Sequence, residues 1–160
     1  MDSPACGGNG RITRQDLVIA CGDPTGPWET VGCFLMSHSI TRGKIHRLSG
    51  NLGGVYELTR GSPDVQRNAF QNIWLSTRMH GITRVILANH TDCAKYGANG
   101  LPNDLEYHIE EVRTAGGILV AGLPGVELFG FVCVKRPDGT GYDPDLHVVF
   151  EPNQTEELLF

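Results

Sequence analysis

Short, continuous apolar runs are the feature that most constrains how this chain can fold. Residues 17–20 read Leu-Val-Ile-Ala and residues 85–88 read Val-Ile-Leu-Ala, without alternation of polar and apolar positions. A strand with one face in water alternates, whereas a strand that is buried on both faces is apolar throughout. Segments with helical patterns separate the runs. The sequence therefore predicts an α/β protein in which helices flank a mostly parallel central β-sheet.

The segment 63–80 has the clearest helical pattern. Ser62 can cap this helix, Pro63 suits its first position, and Gly81 can end it. Its apolar residues recur at roughly helical spacing, and they are Val65, Ala69, Ile73, Leu75 and Met79. We therefore expect an amphipathic helix over this segment.

The same criteria divide the rest of the chain. Further elements are predicted as helices at 28–40 and 102–115 and as strands at 44–48 and 118–122. Residues 126–135 and 147–150 flank a Pro-Asp-Gly-Thr-Gly segment at 137–141, which is typical of a hairpin turn. This last pair predicts an antiparallel edge strand on the sheet.

Length and composition indicate one globular domain. The chain has 160 residues, of which 40% are hydrophobic, and this length suits a single core. We predict that residues 15–152 form the domain. Residues 1–14 are predicted to be a flexible N-terminal arm, and residues 153–160 a C-terminal tail.

Charge and hydropathy argue against two classes of partner. The net charge is −5 without a cluster of Lys and Arg, so the sequence predicts no binding of nucleic acid. No apolar run approaches the ~20 residues that cross a bilayer, and residues 1–10 lack the apolar core of a signal peptide. We therefore expect a cytoplasmic protein with no membrane partner. Five irregularly spaced cysteines argue against a disulfide framework.

Residue types that bind metals follow both apolar runs. Cys21 and Asp23 come after the first run, and His90 and Cys93 come after the second. Ligands bind beyond the carboxyl ends of parallel strands, and neighbouring strands lie about 4.8 Å apart, so these side chains can converge in one crevice. Two thiolates and an imidazole suit tetrahedral zinc. Spacing alone leaves a second interpretation open, in which the cysteines are ordinary buried thiols.

From residue 15 onward, three motifs in order resemble the β-class carbonic anhydrases. The first strand of that family ends in Cys-x-Asp-x-Arg, and this chain has Cys-Gly-Asp-Pro-Thr at 21–25. The family's Arg-Asn-Ala-Gly-Asn segment corresponds to Arg-Leu-Ser-Gly-Asn at 47–51. Its His-x-x-Cys-Gly corresponds to His-Thr-Asp-Cys-Ala at 90–94. Residues 126–149 look like the family's closing strand pair.

The resemblance implies both a site and an activity. Cys21, His90 and Cys93 would bind Zn²⁺, and Asp23 would be the catalytic residue that accepts a hydrogen bond from the zinc-bound water. Zinc-bound hydroxide would attack carbon dioxide and yield bicarbonate, which makes the protein a lyase. The resemblance also implies a homodimer or a higher homo-oligomer, with the cleft near the interface.

The chain departs from the family's pattern at Thr25, where the family has an arginine. That arginine pairs with the aspartate and holds it off the metal, and threonine has no charged fork for a carboxylate. Without the arginine, Asp23 can become a fourth zinc ligand and close the site. Arg42 is either a substitute partner or a solvated surface residue. Ala94 replaces the family's glycine, which is tolerated unless the position needs a positive φ.

Three functional hypotheses therefore stay open. The first is an enzyme that hydrates carbon dioxide, or that acts on a related linear molecule such as carbonyl sulfide or carbon disulfide. The second is a non-catalytic zinc-binding protein with the same fold. The third is a cysteine-based redox or metal-sensing protein. Retention of the three ligands and of Asp23 favours the enzyme.

The other polar candidates are interpreted mainly as structural residues. Surface or helix-end positions are expected for the histidines outside the motif, which are His38, His46, His80, His108 and His147. His38 or His46 is an alternative proton shuttle if it lies near the cleft. Cys33 and Cys133 are expected in the core. Two interpretations stay open for Tyr96, a packed ring or part of the cleft mouth. For Asp92 they are a residue that orients His90 or binds a neighbouring main-chain amide, and a solvent-exposed residue.

Overall fold

The computed structural model describes residues 15–21, 45–47, 54–143, 147–152 and 158, and the structural statements below concern these residues. Five strands and four helices lie within them. In chain order they are β1 Gln15–Ala20, β2 Ile45–Arg47, α1 Tyr56–Thr59, α2 Pro63–His80, β3 Ile82–His90, α3 Ala94–Ala98, α4 Leu105–Gly122, β4 Glu127–Cys133 and β5 His147–Phe150.

The strands form one sheet in the order β2-β1-β3-β4-β5. β2, β1, β3 and β4 are parallel to their neighbours, and β5 is antiparallel to β4. The prediction of a mostly parallel sheet with an antiparallel edge strand is therefore confirmed. Ala20 pairs with Ala88, so β1 and β3 reach their carboxyl ends at the same edge of the sheet.

Burial on both faces explains the continuous apolar runs. Leu17 and Ile19 of β1 belong to the larger core cluster, together with residues of α2 and α4. Val18 and Ala20 point to the opposite face, where they pack with residues of β3 and β4. Because successive side chains of a strand point to opposite faces, every position of such a strand must be apolar.

Helix α2 has the predicted bounds, but only part of its predicted apolar face is buried. Gly81 ends the helix in the left-handed region at φ 60°, as expected of a C-terminal glycine. Ser62 occupies the N-cap position, although its side chain makes no capping hydrogen bond. The buried residues are Ala69, Ile73 and Thr77, spaced by four, whereas the exposed ones are Val65, Leu75 and, at 75% exposure, Met79. Leu75 and Met79 therefore lie outside the face that contacts the sheet.

The predicted strand at 118–122 is wrong, because these residues form the end of helix α4. The helix begins after Asp104, whose side chain accepts a hydrogen bond from the Tyr107 N–H, and it continues to Gly122 instead of ending at 115. Gly116 lets this helix pack closely on β5, since a Cβ atom there would lie only 2.8 Å from the ring of Phe150. Continuous apolar residues are as typical of a buried helix as of a buried strand, so the sequence pattern did not distinguish them.

The remaining elements fall where the sequence placed them, or lie outside the described residues. β2, β4 and β5 lie within their predicted ranges, and the turn before β5 contains Gly139 at φ 73°. The predicted helix at 28–40 lies outside the described part of the chain, as do the predicted arm at 1–14 and most of the tail at 153–160. The domain bounds therefore stay a prediction.

None of the described helices has the length and apolar character needed to span a bilayer.

Candidate metal centre

The structure brings together the three residues predicted as metal ligands. Cys21 directly follows β1, His90 ends β3, and Cys93 immediately precedes α3. All three are buried, and their ligand atoms lie within 4.8 Å of one another. The two sulfur atoms are 3.9 Å apart. The cluster lies at the carboxyl edge of the parallel strands, which is where ligands bind in open α/β sheets.

The donor atoms fit a tetrahedral zinc ion. Zn–S bonds of about 2.3 Å at tetrahedral angles imply a sulfur–sulfur separation of about 3.8 Å, close to the observed 3.9 Å. His90 Nδ1 lies 2.9 Å from the Thr91 carbonyl oxygen, which can only accept, so Nδ1 carries the proton. Nε2 therefore presents a lone pair, and this buried atom has no hydrogen-bond partner among the described residues. A metal ion would satisfy that lone pair.

Tyr142 is a further neighbour of His90 that the sequence did not indicate. Its hydroxyl oxygen lies 2.9 Å from His90 Nδ1, and the two rings meet edge to face. Tyr142 is 52 residues away in the chain and is brought near by the turn between β4 and β5, where it pairs with Lys135. The contact fixes the plane of the imidazole from the side opposite Nε2.

Hydrogen bonds with the end of β4 and the residues just after it hold the loop between His90 and Cys93. The Lys135 N–H donates to Thr91 Oγ1 at 2.8 Å, and the Thr91 N–H donates to the Cys133 carbonyl at 3.0 Å. Asp92 has φ 55°, a conformation that Asp tolerates better than most residues. Its exposed carboxylate pairs with Lys135 Nζ at 2.6 Å. Of the interpretations left open for Asp92, the exposed residue agrees with the structure.

Cys93 is held by the side-chain amide of Asn103. The Cys93 N–H donates to Asn103 Oδ1 at 2.8 Å, and Asn103 Nδ2 donates to the Cys93 carbonyl at 2.9 Å. One side chain therefore satisfies both polar groups of the cysteine's main chain. Ala94 opens helix α3, where φ is negative, so the absence of the family's glycine at this position is tolerated as expected.

His108 lies near the start of helix α4, but the expected surface position is wrong, because this residue is fully buried beside the cluster. Asn89 Oδ1 accepts from the Val55 N–H at 3.1 Å, which orients its amide so that Nδ2 donates to His108 Nδ1 at 3.1 Å. His108 Nε2 then donates to Asn103 Oδ1 at 2.8 Å. Both contacts require a neutral imidazole with its proton on Nε2.

Of the two interpretations of Tyr96, the packed ring agrees with the structure. The ring is fully buried and lies edge to face against the rings of Tyr56 and His108. Its hydroxyl accepts from Asn89 Nδ2 at 3.2 Å and donates to Glu111 Oε2 at 3.3 Å. Glu111 is itself buried.

The Glu111 carboxylate has charged and polar partners that offset its burial. Arg60 Nη2 lies 2.6 Å from Oε1, and the Thr59 hydroxyl donates to Oε2 at 2.6 Å. A buried carboxylate without such partners would be strongly destabilising. The polar network therefore extends from Cys93 to Arg60 at the surface without leaving its charged member unpaired.

Gly54 allows the main chain to approach this network closely. It has φ 60°, and a Cβ atom there would overlap Asn89 Oδ1 and lie 2.6 Å from the Ala88 carbonyl oxygen. Only glycine combines that conformation with that space. The close approach lets the Val55 N–H reach Asn89.

Several predicted residues are not placed by the structure. Asp23, Thr25 and Arg42 lie outside the described residues, as do Cys33 and His38. The catalytic role of Asp23 and the alternative role of Arg42 therefore stay predictions.

Among the described residues, the exposed positions of His80 and His147 and the buried position of Cys133 agree with expectation. Burial raises the pKa of the Cys133 thiol to about 12, which keeps this thiol protonated and unreactive near neutral pH.

Comparisons with known proteins agree with this fold. No protein-family model matches the sequence, and no curated protein matches it. A carbonic anhydrase from Streptococcus mutans aligns over 89% of this chain and 88% of its own, with 17% identity and a TM-score of 0.53. One from Glaciozyma antarctica aligns over 87% and 85%, with 15% identity and a TM-score of 0.53.

Two tetrameric β-carbonic anhydrases from Sordaria macrospora provide a further match, which covers 86% of this chain and 81% of the matched one, at 13% identity and a TM-score of 0.50. At these identities the likeness concerns the fold. The chain therefore has the fold of the β-carbonic anhydrases, as the resemblance of its motifs predicted, and it places a Cys-His-Cys cluster that could bind metal at the carboxyl edge of its sheet.

His108 makes the stability of the metal-free protein depend on pH. Burial, together with a smaller effect of the nearby His90, lowers the pKa of His108 to about 4, although Glu111 and Asp104 oppose the change. Between pH 6.5 and 4 the unfolded chain binds a proton that the folded chain does not. Stability is therefore lost as pH falls through this window, by about 3 kcal/mol from this residue.

We predict that His108→Gln flattens this dependence. The variant is less stable than the parent at pH 7, and the difference between them shrinks towards pH 4 because the proton-linked contribution is gone. Urea unfolding of both proteins at several pH values measures it. Parallel curves for parent and variant would contradict the assignment.

Proposed function

We propose that the protein is a zinc-dependent lyase that hydrates carbon dioxide to bicarbonate. The observation that carries this proposal is the buried cluster of Cys21, His90 and Cys93 at the carboxyl edge of a parallel sheet. The sulfur–sulfur separation favours a metal over ordinary buried thiols, and so does the Nε2 atom of His90, which lacks a partner within the described part of the chain. The fold shared with carbonic anhydrases favours this reaction among those that zinc supports.

The chain's own residues have separate tasks in this proposal. Cys21, His90 and Cys93 would hold the ion through two thiolates and an imidazole. Zinc, when bound, supplies the Lewis acidity that makes hydroxide available near neutral pH. Thr91 and Tyr142 hold the His90 ring through Nδ1, which leaves Nε2 as the nitrogen that would bind the ion. Asp23 is proposed to accept a hydrogen bond from the reacting water and to orient it towards carbon dioxide.

We predict about one zinc ion per chain and a rate of carbon dioxide hydration above the buffer background. Cys21→Ala loses both, because two protein ligands do not retain the ion. Cys133→Ala is the matched control, since this thiol is equally buried but lies outside the cluster. Elemental analysis and stopped-flow measurement with a pH indicator give the two quantities. A parent free of zinc, or full zinc in Cys21→Ala, would overturn the site.

A non-catalytic zinc-binding protein is the second candidate, and Thr25 is the observation that favours it. A carboxylate without its arginine can bind the metal in place of water. The same measurements separate the two candidates. Stoichiometric zinc without any rate above background would support the non-catalytic protein and contradict the enzyme.

Thr25→Arg tests whether the missing arginine limits the rate. We expect the variant to hydrate carbon dioxide at least tenfold faster at equal zinc content, because the guanidinium would hold Asp23 off the metal. Thr25→Lys is the control, since lysine supplies the charge without the planar fork that pairs with a carboxylate. Equal rates for the parent and Thr25→Arg would show that this position does not control the reaction.

We also infer a homo-oligomer. The structures from Sordaria macrospora are described as tetrameric, and helix α2 of this chain exposes Leu75 and Met79. Exposed large apolar side chains on one helix are common where copies of a chain meet. Sedimentation equilibrium measures the assembly, and the mass of a single chain would contradict it.

A further inference from the structure

We propose that Asn103 is a positioning residue for the metal ligand Cys93, and that the neutral side chain of His108 locks Asn103 in place. The proposal rests on the zinc site proposed above. Neither residue is one of the proposed metal ligands. Both belong to the buried hydrogen-bond network of Asn89, His108 and Asn103 beside the cluster.

Hydrogen bonds from the Asn103 side chain hold the main chain of Cys93. The residue sits at the N-cap of a helix of only five residues and makes no capping bond with its own side chain. Both polar groups of its main chain instead pair with the Asn103 amide, at 2.8 and 2.9 Å. Asn103 also accepts from the neighbouring Asp92 N–H through its own carbonyl, at 3.1 Å. With the main chain held on both sides, only rotation about the Cα–Cβ bond of Cys93 remains to place its sulfur.

His108 fixes the orientation of the Asn103 side-chain amide. A side-chain amide can turn over and exchange its donor and acceptor, which would break both bonds to Cys93. His108 prevents this, because its Nε2–H donates to the same Oδ1 atom that accepts from Cys93. The tautomer of His108 is set in turn by Asn89, whose Nδ2 donates to Nδ1. Asn89 is oriented by the Val55 N–H, which can only donate.

The same network connects the segments that carry His90 and Cys93. Asn89 immediately precedes His90 on β3, and Asn103 grips Cys93, so the path from Asn89 through His108 to Asn103 joins two ligand-bearing segments. The path uses only hydrogen bonds within the chain, and none of them involves a cysteine sulfur or the His90 ring. When the ligands are already ordered before the metal binds, little free energy is lost in ordering them, and the metal binds more tightly. Partners of this kind typically contribute about 10–100-fold to metal affinity.

We expect Asn103→Ala to bind zinc about 10–100-fold more weakly than the parent, measured by competition with a chromophoric chelator. Cobalt-loaded Asn103→Ala should also show weaker thiolate-to-cobalt charge-transfer absorption, because the Cys93 sulfur is no longer held in position. Asn99→Ala is the matched control. Its exposed amide donates to the Lys95 carbonyl and takes no part in the network, so its affinity and spectrum should equal those of the parent.

Two further measurements separate positioning from general destabilisation. Leu119→Ala removes a buried side chain from the core and lowers stability without touching the network, so its zinc affinity should stay near that of the parent. His108→Gln, which leaves Cys93 and Asn103 intact, should weaken zinc binding in the same direction as Asn103→Ala but less. It serves as the test variant if Asn103→Ala does not fold.

Amide hydrogen exchange of metal-free protein keeps this inference distinct from the proposed function. The Cys93 amide should exchange slowly in the parent and much faster in His108→Gln and Asn103→Ala. A parent that binds no zinc would overturn the proposed function, and with it the positioning role, even if the amide were protected. A parent that binds zinc, with Asn103→Ala within twofold of it and an unchanged cobalt spectrum, would overturn the positioning role alone.

Discussion

The parallel pairing of β1 with β3 is the constraint on which the rest of the structure depends. It brings the residue after one strand and the last residue of the other to the same edge, 69 positions apart in sequence for Cys21 and His90. Without that register, the side chains of the two cysteines and the histidine would not lie close together. Helices α2 and α4 pack on one face of the sheet and exclude water from the paired strands. The pairing therefore establishes both the core and the cluster.

Around that cluster, buried polar groups determine geometry more sharply than apolar packing does. An apolar side chain can shift slightly at small cost, whereas a buried donor must find an acceptor in a narrow range of distance and angle. Main-chain groups of Val55 and Cys93 have fixed donor and acceptor roles, and these roles set the orientation of Asn89, His108 and Asn103 in turn. The same demand for partners explains why Glu111 is paired with Arg60.

The sequence predicted the sheet and the cluster well because each depends on a local signal. Continuous apolar residues indicate strands buried on both faces, and the ligand types follow those strands directly. It failed where one local pattern fits two structures. The run at 118–122 suits a buried helix as well as a strand, and in the structure it ends a helix that packs against β4 and β5. His108 looked like a surface residue because its partners lie at positions 89 and 103, which no local spacing reveals.

By itself, then, the sequence determined the α/β class, the mostly parallel sheet and the identity of the three candidate ligands. These follow from hydrophobic burial and from the chemistry of thiols and imidazole, which act residue by residue. Only the tertiary structure decided that the three ligand atoms converge within 4.8 Å, that His90 presents Nε2, and that Asn103 grips Cys93. Those features depend on hydrogen bonds between distant segments, whose directions exist only once the chain has folded.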